Sequence, residues 1–371
     1  MISPLTRSWA EINLSNLSGN YETLAGVLPA DCSVMGIVKA NAYGHGAVRV
    51  AAQLTEIGCP LLAVACMAEA YELRQAGIKT PILILGPEPA SSAPLAAELD
   101  AAMTFGSLES AKYASSLLNG KSLKIHIKLD TGMCRTGFDA SDNKSISDAA
   151  RLFSLPGIEP IGVFTHFAVS DDATDPFTRV QFGRFLSAVA AIEAETGRHF
   201  EIKHCANSAA VLHYKKEMSL DMVRPGISLY GMYSGAQSGG VELLPVMTLF
   251  SRVSAVYWRK ADETVSYGRT HTLDKDTRIA VLPVGYGDGL PRILSNALEV
   301  SFDGIMAKQL GRICMDMLMV DITNFPNIKE GDTAVIFGSG GPCADELARA
   351  ASTISYELFC GITERIPRIY I

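Results

Sequence analysis

Positive charge is scarce in this 371-residue chain: 32 Lys and Arg stand against 39 Asp and Glu, a formal net charge of -7. A mildly acidic protein gains nothing from general attraction to nucleic acid or to an anionic membrane surface, so neither is expected as a partner. An anionic ligand must therefore be held by a few local cations and backbone N–H groups. Long apolar runs are missing as well, and no stretch reads as a bilayer span. The opening MISPLTRSWAEINL lacks the apolar centre of a signal peptide, which predicts a cytoplasmic protein. CxxC spacing is absent from the eight cysteines, Cys32, Cys59, Cys66, Cys134, Cys205, Cys314, Cys343 and Cys360. A zinc cluster is not expected, and reduced thiols are the simplest reading.

What is present is a large apolar fraction, 48% against 19% charged, enough for a substantial core. From about residue 34 to 230, apolar runs alternate with helical patterns. The runs are Val34–Val38, Leu61–Cys66, Pro81–Leu85, Ala101–Thr104, Leu123–Leu129, Ile158–His166, Glu201–His204 and Leu220–Val223. Several are continuous, as in PILILG, which suits strands buried on both faces. Between them lie stretches such as AVRVAAQLTEIG and AEAYELRQAG, each closed by glycine. Eight strand–helix units fit a (β/α)8 TIM-like barrel, with a doubly wound open sheet as the alternative. The texture changes at GMYSGAQSGG, a glycine- and serine-rich joint. Beyond it MTLFSRVSAVYW, TRIAVLPVGYG, ALEVSFDG and TAVIFG predict a mostly β domain, with helices near 343–351 and 355–361.

A barrel places its active site at the carboxyl ends of its strands. Those positions hold Lys39, Lys128, His166, Asn207 and Arg224. A lysine at a buried strand end has a lowered proton affinity and suits Schiff-base chemistry; the bland alternative is an exposed lysine after a strand. In KIHIKLDTGMCRTG, His126, Lys128 and Asp130 share the face opposite Ile125, Ile127 and Leu129. Turned inward near Arg135, Lys128 needs a counter-anion or must be neutral; turned outward, it is a solvated lysine. Ser208 follows Asn207 at a helix start and Gly226 follows Arg224 in a tight turn, either of which holds a phosphate or simply caps a helix. A lone His166 reads equally as structure. Tyr267 and Tyr286 sit in glycine-flanked turns, where packing is the plain reading. GSGG at 338–341 lacks GxGxxG spacing and reads as a turn.

Taken together, SWAEINLSNL, VKANAYGHGA, KLDTGMCRTGF, THFAVSD, HCANSAA, VRPGISLYG, VSYGRTHTL, GYGDGLPR, GRICMDMLMVD and SYELFCGITERIPR resemble the alanine racemase family, in family order over nearly the whole chain. The resemblance implies the barrel rather than the open sheet. It divides the chain into an N-terminal strand (1–13) that joins the C-terminal domain, a barrel (14–240) and a β domain (241–371). It implies pyridoxal 5'-phosphate on Lys39, with Tyr43, Ser208, Gly226, Ile227 and Tyr356 around the phosphate and Asn207 beside it. His166 would lie against the pyridine ring and Arg224 would face its nitrogen. Lys128 is similar to the family's carbamylated lysine, which positions Arg135 towards the substrate carboxylate. The family is a head-to-tail homodimer, so Tyr267, Tyr286, Cys314, Met315 and Asp316 would complete the site of the other subunit.

The resemblance implies interconversion of L- and D-alanine by two bases, Lys39 for the D-isomer and Tyr267 for the L-isomer, supplying D-alanine for cell-wall peptidoglycan. GYGDG, CR after DTGM, and CMDM depart from the family pattern near the substrate entrance and the carbamate, and bear on amino-acid preference. A serine or broad-specificity racemase is the nearest alternative. A non-catalytic pyridoxal-phosphate carrier requires neither Tyr267 nor a C-terminal domain. A decarboxylase of related architecture favours an acid where Arg224 stands. A cofactor-free Schiff-base aldolase would show no cofactor absorbance.

Overall fold

A computed structural model describes residues 6–233 and 238–371. Residues 1–5 of the expected N-terminal strand, and 234–237 of the glycine- and serine-rich joint, lie outside the described residues.

The eight apolar runs form one parallel sheet that returns to its start. Its strands are residues 33–37, Leu62–Val64, Ile82–Pro87, Ala101–Phe105, Leu123–Asp130, Ile158–Phe164, Ile202–Asn207 and Met222–Arg224. Ser33–Val34 pairs with the last of these, and Gly36–Ile37 pairs with Leu62–Val64. The first strand thus joins the last to the second, so this sheet has no edge strand, whereas an open sheet has two. The architecture is a (β/α)8 barrel followed by a mostly β domain.

Several expected boundaries shift by one or two residues. The sixth strand stops at Phe164, so Thr165 and His166 leave the sheet. The eighth runs to Arg224, which is its last residue rather than the one after it. Lys39 opens the segment Lys39–Tyr43 directly beyond the first strand.

Polar side chains in the barrel need room near the axis. Gly162 provides it: a Cβ there would lie 2.3 Å from the ring of His126. His126 is fully buried and bonds His204 from the neighbouring part of the sheet, Nδ1 to Nε2 at 2.9 Å.

The second domain is a nine-stranded sheet. Ser8–Ile12 lies in it, antiparallel to Met247–Arg252 and parallel to Arg368–Tyr370. The run expected from MTLFSRVSAVYW is broken into Met247–Arg252 and Ala255–Arg259, which pair with different strands, Thr333–Phe337 and Thr277–Leu282. Ile305–Leu310 and Leu318–Asp321 are strands with no counterpart among the expected runs. Two helices, Ala344–Ala350 and Ser355–Gly361, return the chain to the barrel mouth. A small satellite core of Val265, Leu273, Ile279, Leu310 and Met319 lies apart from the main core and supports the Tyr267 turn. Among the described residues, no helix is long and apolar enough to cross a membrane.

Candidate active site

A cavity of about 490 Å³ opens at the carboxyl ends of the barrel strands. It is lined by Lys39, Lys128, Arg135 and Arg224, and among the described residues no carboxylate lines it. Tyr43, His166, Asn207, Ser208, Gly226 and Tyr356 complete its polar wall. The barrel rule and the sequence motifs therefore converge on one place.

Arg224 is the most heavily bonded of the four cations. It donates from Nη1 to His204 Nδ1 at 2.7 Å, and from Nη2 to Thr165 O at 2.7 Å, Cys205 O at 3.2 Å and His166 Nδ1 at 3.3 Å. Burial lowers its pKa to about 10, so it is still a full cation at neutral pH. The Phe164 ring carries Lys128 Nζ at 4.7 Å and the Arg224 guanidinium at 5.2 Å from its centroid.

Lys128 faces the barrel lumen and is only 4% exposed. Burial, then Arg224 and Arg135, push its amine well below the ordinary lysine value, against a smaller opposing effect of Asp130. Lys39 is lowered by the same causes, burial first, then Arg135 and Arg224, while Glu69 and Cys360 act the other way. His166 is held neutral by burial and by all four cations.

Asp130 places Arg135. Its carboxylate accepts from the backbone N–H of Gly132 (2.8 Å), Cys134 (3.1 Å) and Arg135 (2.9 Å), folding the loop so that Arg135 lines the cavity.

The other end of the donor set is a backbone cradle. A Cβ on Gly226 would sit 2.5 Å from Tyr43 Oη, so only glycine leaves the gap between them. Ser208 Oγ accepts from Ser228 N at 3.2 Å, which leaves its own hydroxyl hydrogen free to donate. Asn207 caps the helix Ser208–Tyr214 by accepting from Ala210 N, and it also accepts from Ser170 Oγ. Tyr43 packs edge-on against Tyr356, ring centroids 5.6 Å apart. Ile227 is fully buried directly beyond Gly226.

These residues fit pyridoxal phosphate on three structural grounds. A wall with four basic side chains and, among the described residues, no carboxylate favours an anionic guest, and a glycine gap with two hydroxyls suits a phosphate. The cavity is also within the usual size of cofactor sites, roughly 300–1,000 Å³.

Tyr267, Cys314, Met315 and Asp316 are not in this cavity. They line a separate depression of about 430 Å³ in the β domain. Tyr286 joins them through its N–H to Cys314 O at 3.1 Å. Tyr267 is 68% exposed and Met315 52%. The structure thus sorts the expected site residues into two groups within one chain.

Sequence reasoning did not single out His204, Glu69 or the bonding role of Asp130. His204 carried a usable signal: it sits inside a strand on the inward alternation that His126 and Lys128 share.

A barrel whose carboxyl-end cavity carries four basic side chains, followed by a β domain with an exposed tyrosine turn, defines a class of α/β-barrel proteins for anionic guests. The sequence model of the alanine racemase N-terminal domain matches residues 12–234, and that of the C-terminal domain matches 246–370. The chain is 40% identical to the alanine racemase of Desulforamulus reducens, over 98% of each chain. It is 41% identical to alanine racemase 2 of Caldanaerobacter subterraneus subsp. tengcongensis, over 100% of this chain and 96% of that one. The structure of alanine racemase from Clostridium difficile 630 superposes with a TM-score of 0.94 at 37% identity, covering 100% of this chain and 97% of that one. The chain belongs to the alanine racemase family, isomerases acting on amino acids.

Proposed function

We propose that this protein interconverts L- and D-alanine with pyridoxal 5'-phosphate, as a homodimer with shared sites, and so supplies D-alanine for peptidoglycan. The carrying observation is the cavity around Lys39: four cationic side chains and, among the described residues, no lining carboxylate. The relative from Clostridium difficile 630 has also been solved in complex with cycloserine, a small amino-acid-like molecule; it is 36% identical, with a TM-score of 0.92 over 100% of this chain and 96% of that one.

When bound, the cofactor withdraws electrons from the substrate's α-carbon and so makes the α-hydrogen acidic. The residues of this chain do the rest. Lys39 would hold the cofactor until the substrate amine replaces it, and its freed amine would then take the α-proton from the D-isomer; its lowered proton affinity suits a base working near neutral pH. Tyr43, Ser208, Tyr356 and the backbone at Gly226 and Ile227 hold the phosphate, with Asn207 fixing the helix start beside it. His166, kept neutral, would lie against the ring. Arg224 would face the ring nitrogen; a guanidinium only donates hydrogen bonds, so it would disfavour a proton there. Lys128, as a carbamate, supplies the anion that the cluster lacks and orients Arg135 towards the substrate carboxylate.

Tyr267 takes the proton on the opposite face, with Met315 against the substrate. Tyr286, Cys314 and Asp316 shape the approach. Within one chain these five lie outside the Lys39 cavity, so the reading requires a second copy whose β domain, from residue 241 onward, covers the barrel of the first. The barrel spans 14–240, and residues 1–13 belong with the β domain.

Purified holoprotein should abolish the optical rotation of L-alanine, and do so faster than that of L-serine. Unchanged rotation of L-alanine contradicts the reading, and faster turnover of L-serine favours a broad-specificity racemase.

A further inference from the structure

Lys39 is followed by four consecutive left-handed residues. Ala40, Asn41, Ala42 and Tyr43 have φ of 51°, 53°, 52° and 50°. None is glycine, and such a conformation costs about 1–2 kcal/mol per residue, so the turn persists only where its surroundings hold it.

Three groups hold it. Asn41 Oδ1 accepts from Ala47 N at 2.7 Å. His45 Nδ1 donates to Ala42 O at 3.0 Å and Tyr43 O at 2.9 Å. These two are local. The third, Glu69, arrives from another element, the first turn of the helix Met67–Gln75. One of its oxygens accepts from Ala40 N at 2.7 Å and the other from Ala65 N at 2.6 Å. A single carboxylate thereby ties the segment after the first barrel strand to the end of the second.

Its charge also reaches Lys39, where it opposes the larger effects of burial, Arg135 and Arg224. The groups around the Lys39 amine are Lys128, Arg135, Arg224, His166, Tyr43 and Tyr356 in the cavity, and Cys360 from the helix Ser355–Gly361. Among the described residues no carboxylate lines the cavity itself; Glu69 acts on Lys39 from behind the turn.

We propose that Glu69 is a positioning residue for Lys39: its carboxylate fixes the left-handed turn that aims the amine into the cavity, and its charge counters the guanidinium groups around that amine. The proposal rests on the reading of Lys39 as the reactive amine. Removing the charge lowers the proton affinity of the Lys39 nitrogen; removing the acceptor frees Ala40 and loosens the turn.

Two variants separate these effects. Glu69→Gln keeps one acceptor oxygen and loses the charge, whereas Glu69→Ala loses both. The visible absorbance of holoprotein, titrated with acid and base, reports the proton on the Lys39 nitrogen. The midpoint should fall by roughly half a unit to one unit in Glu69→Gln, a loss of about three- to tenfold in proton affinity. In Glu69→Ala the midpoint should fall at least as far, with cofactor release about tenfold faster. Borohydride reduction and peptide mapping accompany each titration. A pyridoxyl group on Lys39 with an unmoved midpoint in both variants overturns the proposal. A pyridoxyl group elsewhere in the unmodified protein overturns instead the reading of Lys39. If a variant retains no cofactor, acetylation of Lys39 across pH, referenced to exposed Lys79, measures the same shift, and an unmoved value again overturns the proposal.

Discussion

Arg224 donates a 2.7 Å hydrogen bond to His204 Nδ1 inside the barrel, and that one contact fixes the protons of two histidines. Arginine only donates, so Nδ1 of His204 accepts. Burial lowers the pKa of His126 to about 3 and pushes His204 well below the usual histidine value, so both are neutral. His204 then carries its proton on Nε2 and donates to His126 Nδ1 at 2.9 Å. His126 carries its own on Nε2, where no acceptor stands.

Replacing the acceptor should therefore be costly. His204→Leu leaves a buried guanidinium N–H unpaired and should destabilise the protein by about 2–4 kcal/mol in urea unfolding. His204→Asn, which retains an acceptor oxygen, should cost less than half as much. Equal losses for the two would show that packing, not the bond to Arg224, is what His204 contributes.

The buried histidines also set an acid limit. His45 is lowered to about 4 and His126 to about 3, both chiefly by burial, and His166 and His204 lie well below their usual value. Below about pH 6.5 the unfolded chain binds protons that the folded chain refuses. Each such group then removes about 1.4 kcal/mol of stability per pH unit. The contribution is whole above pH 6.5 and is lost as pH falls towards the folded values. Cofactor-free protein, unfolded in urea at fixed concentration, should be at least about 2 kcal/mol less stable at pH 5 than at pH 7. A flat profile over that range would mean that these rings are solvated.

Gly226→Ala tests the phosphate cradle. The added methyl meets Tyr43 Oη at 2.5 Å, so either the hydroxyl or the backbone must move. Cofactor dissociation should rise about tenfold or more, equivalent to ~1.4 kcal/mol, with little change in thermal stability of the cofactor-free protein. Unchanged cofactor affinity would place the phosphate elsewhere.

Lys128 should carry a carbamate. An inward lysine among cations is the wrong charge for its place, and carbamylation reverses that charge. Lys128→Ala should lose most activity, and chloride or a small carboxylate should restore part of it. Density for an unmodified ammonium paired with some other anion would end this account of Lys128.

Strand ends were the legible part of the site. Lys39, Lys128 and Arg224 stand at or just beyond apolar runs, and the barrel rule then says where they point. Glu69 was hidden because it works through backbone N–H groups of two other segments, and a helical pattern shows it only as an acidic first-turn residue. The left-handed turn was hidden because ANAY contains no glycine; its conformation is held by contacts of Asn41, His45 and Glu69 rather than by glycine's freedom. In the β domain, Ile305–Leu310 escaped notice because IMAKQL alternates poorly: its first two residues are both exposed and its last two both buried.

Arg224→Glu should change the outcome of the reaction as well as its rate. A carboxylate facing the ring nitrogen favours a proton there, which prolongs the carbanionic state and admits side reactions. Racemisation should slow while the share of transamination product rises. An unchanged product ratio would remove Arg224 from this role.

The central claim is that each site combines Lys39 of one chain with the partner subunit's Tyr267. The motivation is that Lys39 and Tyr267 line separate cavities within one chain. Lys39→Ala and Tyr267→Phe homodimers should both be nearly inactive, since each lacks one base. Differently tagged mutants, co-expressed and doubly purified as a heterodimer, decide the matter. With shared sites one site receives both lesions and the other none, so about half of the unmodified activity per dimer returns. A folded, cofactor-loaded heterodimer as inactive as its parents would contradict the account.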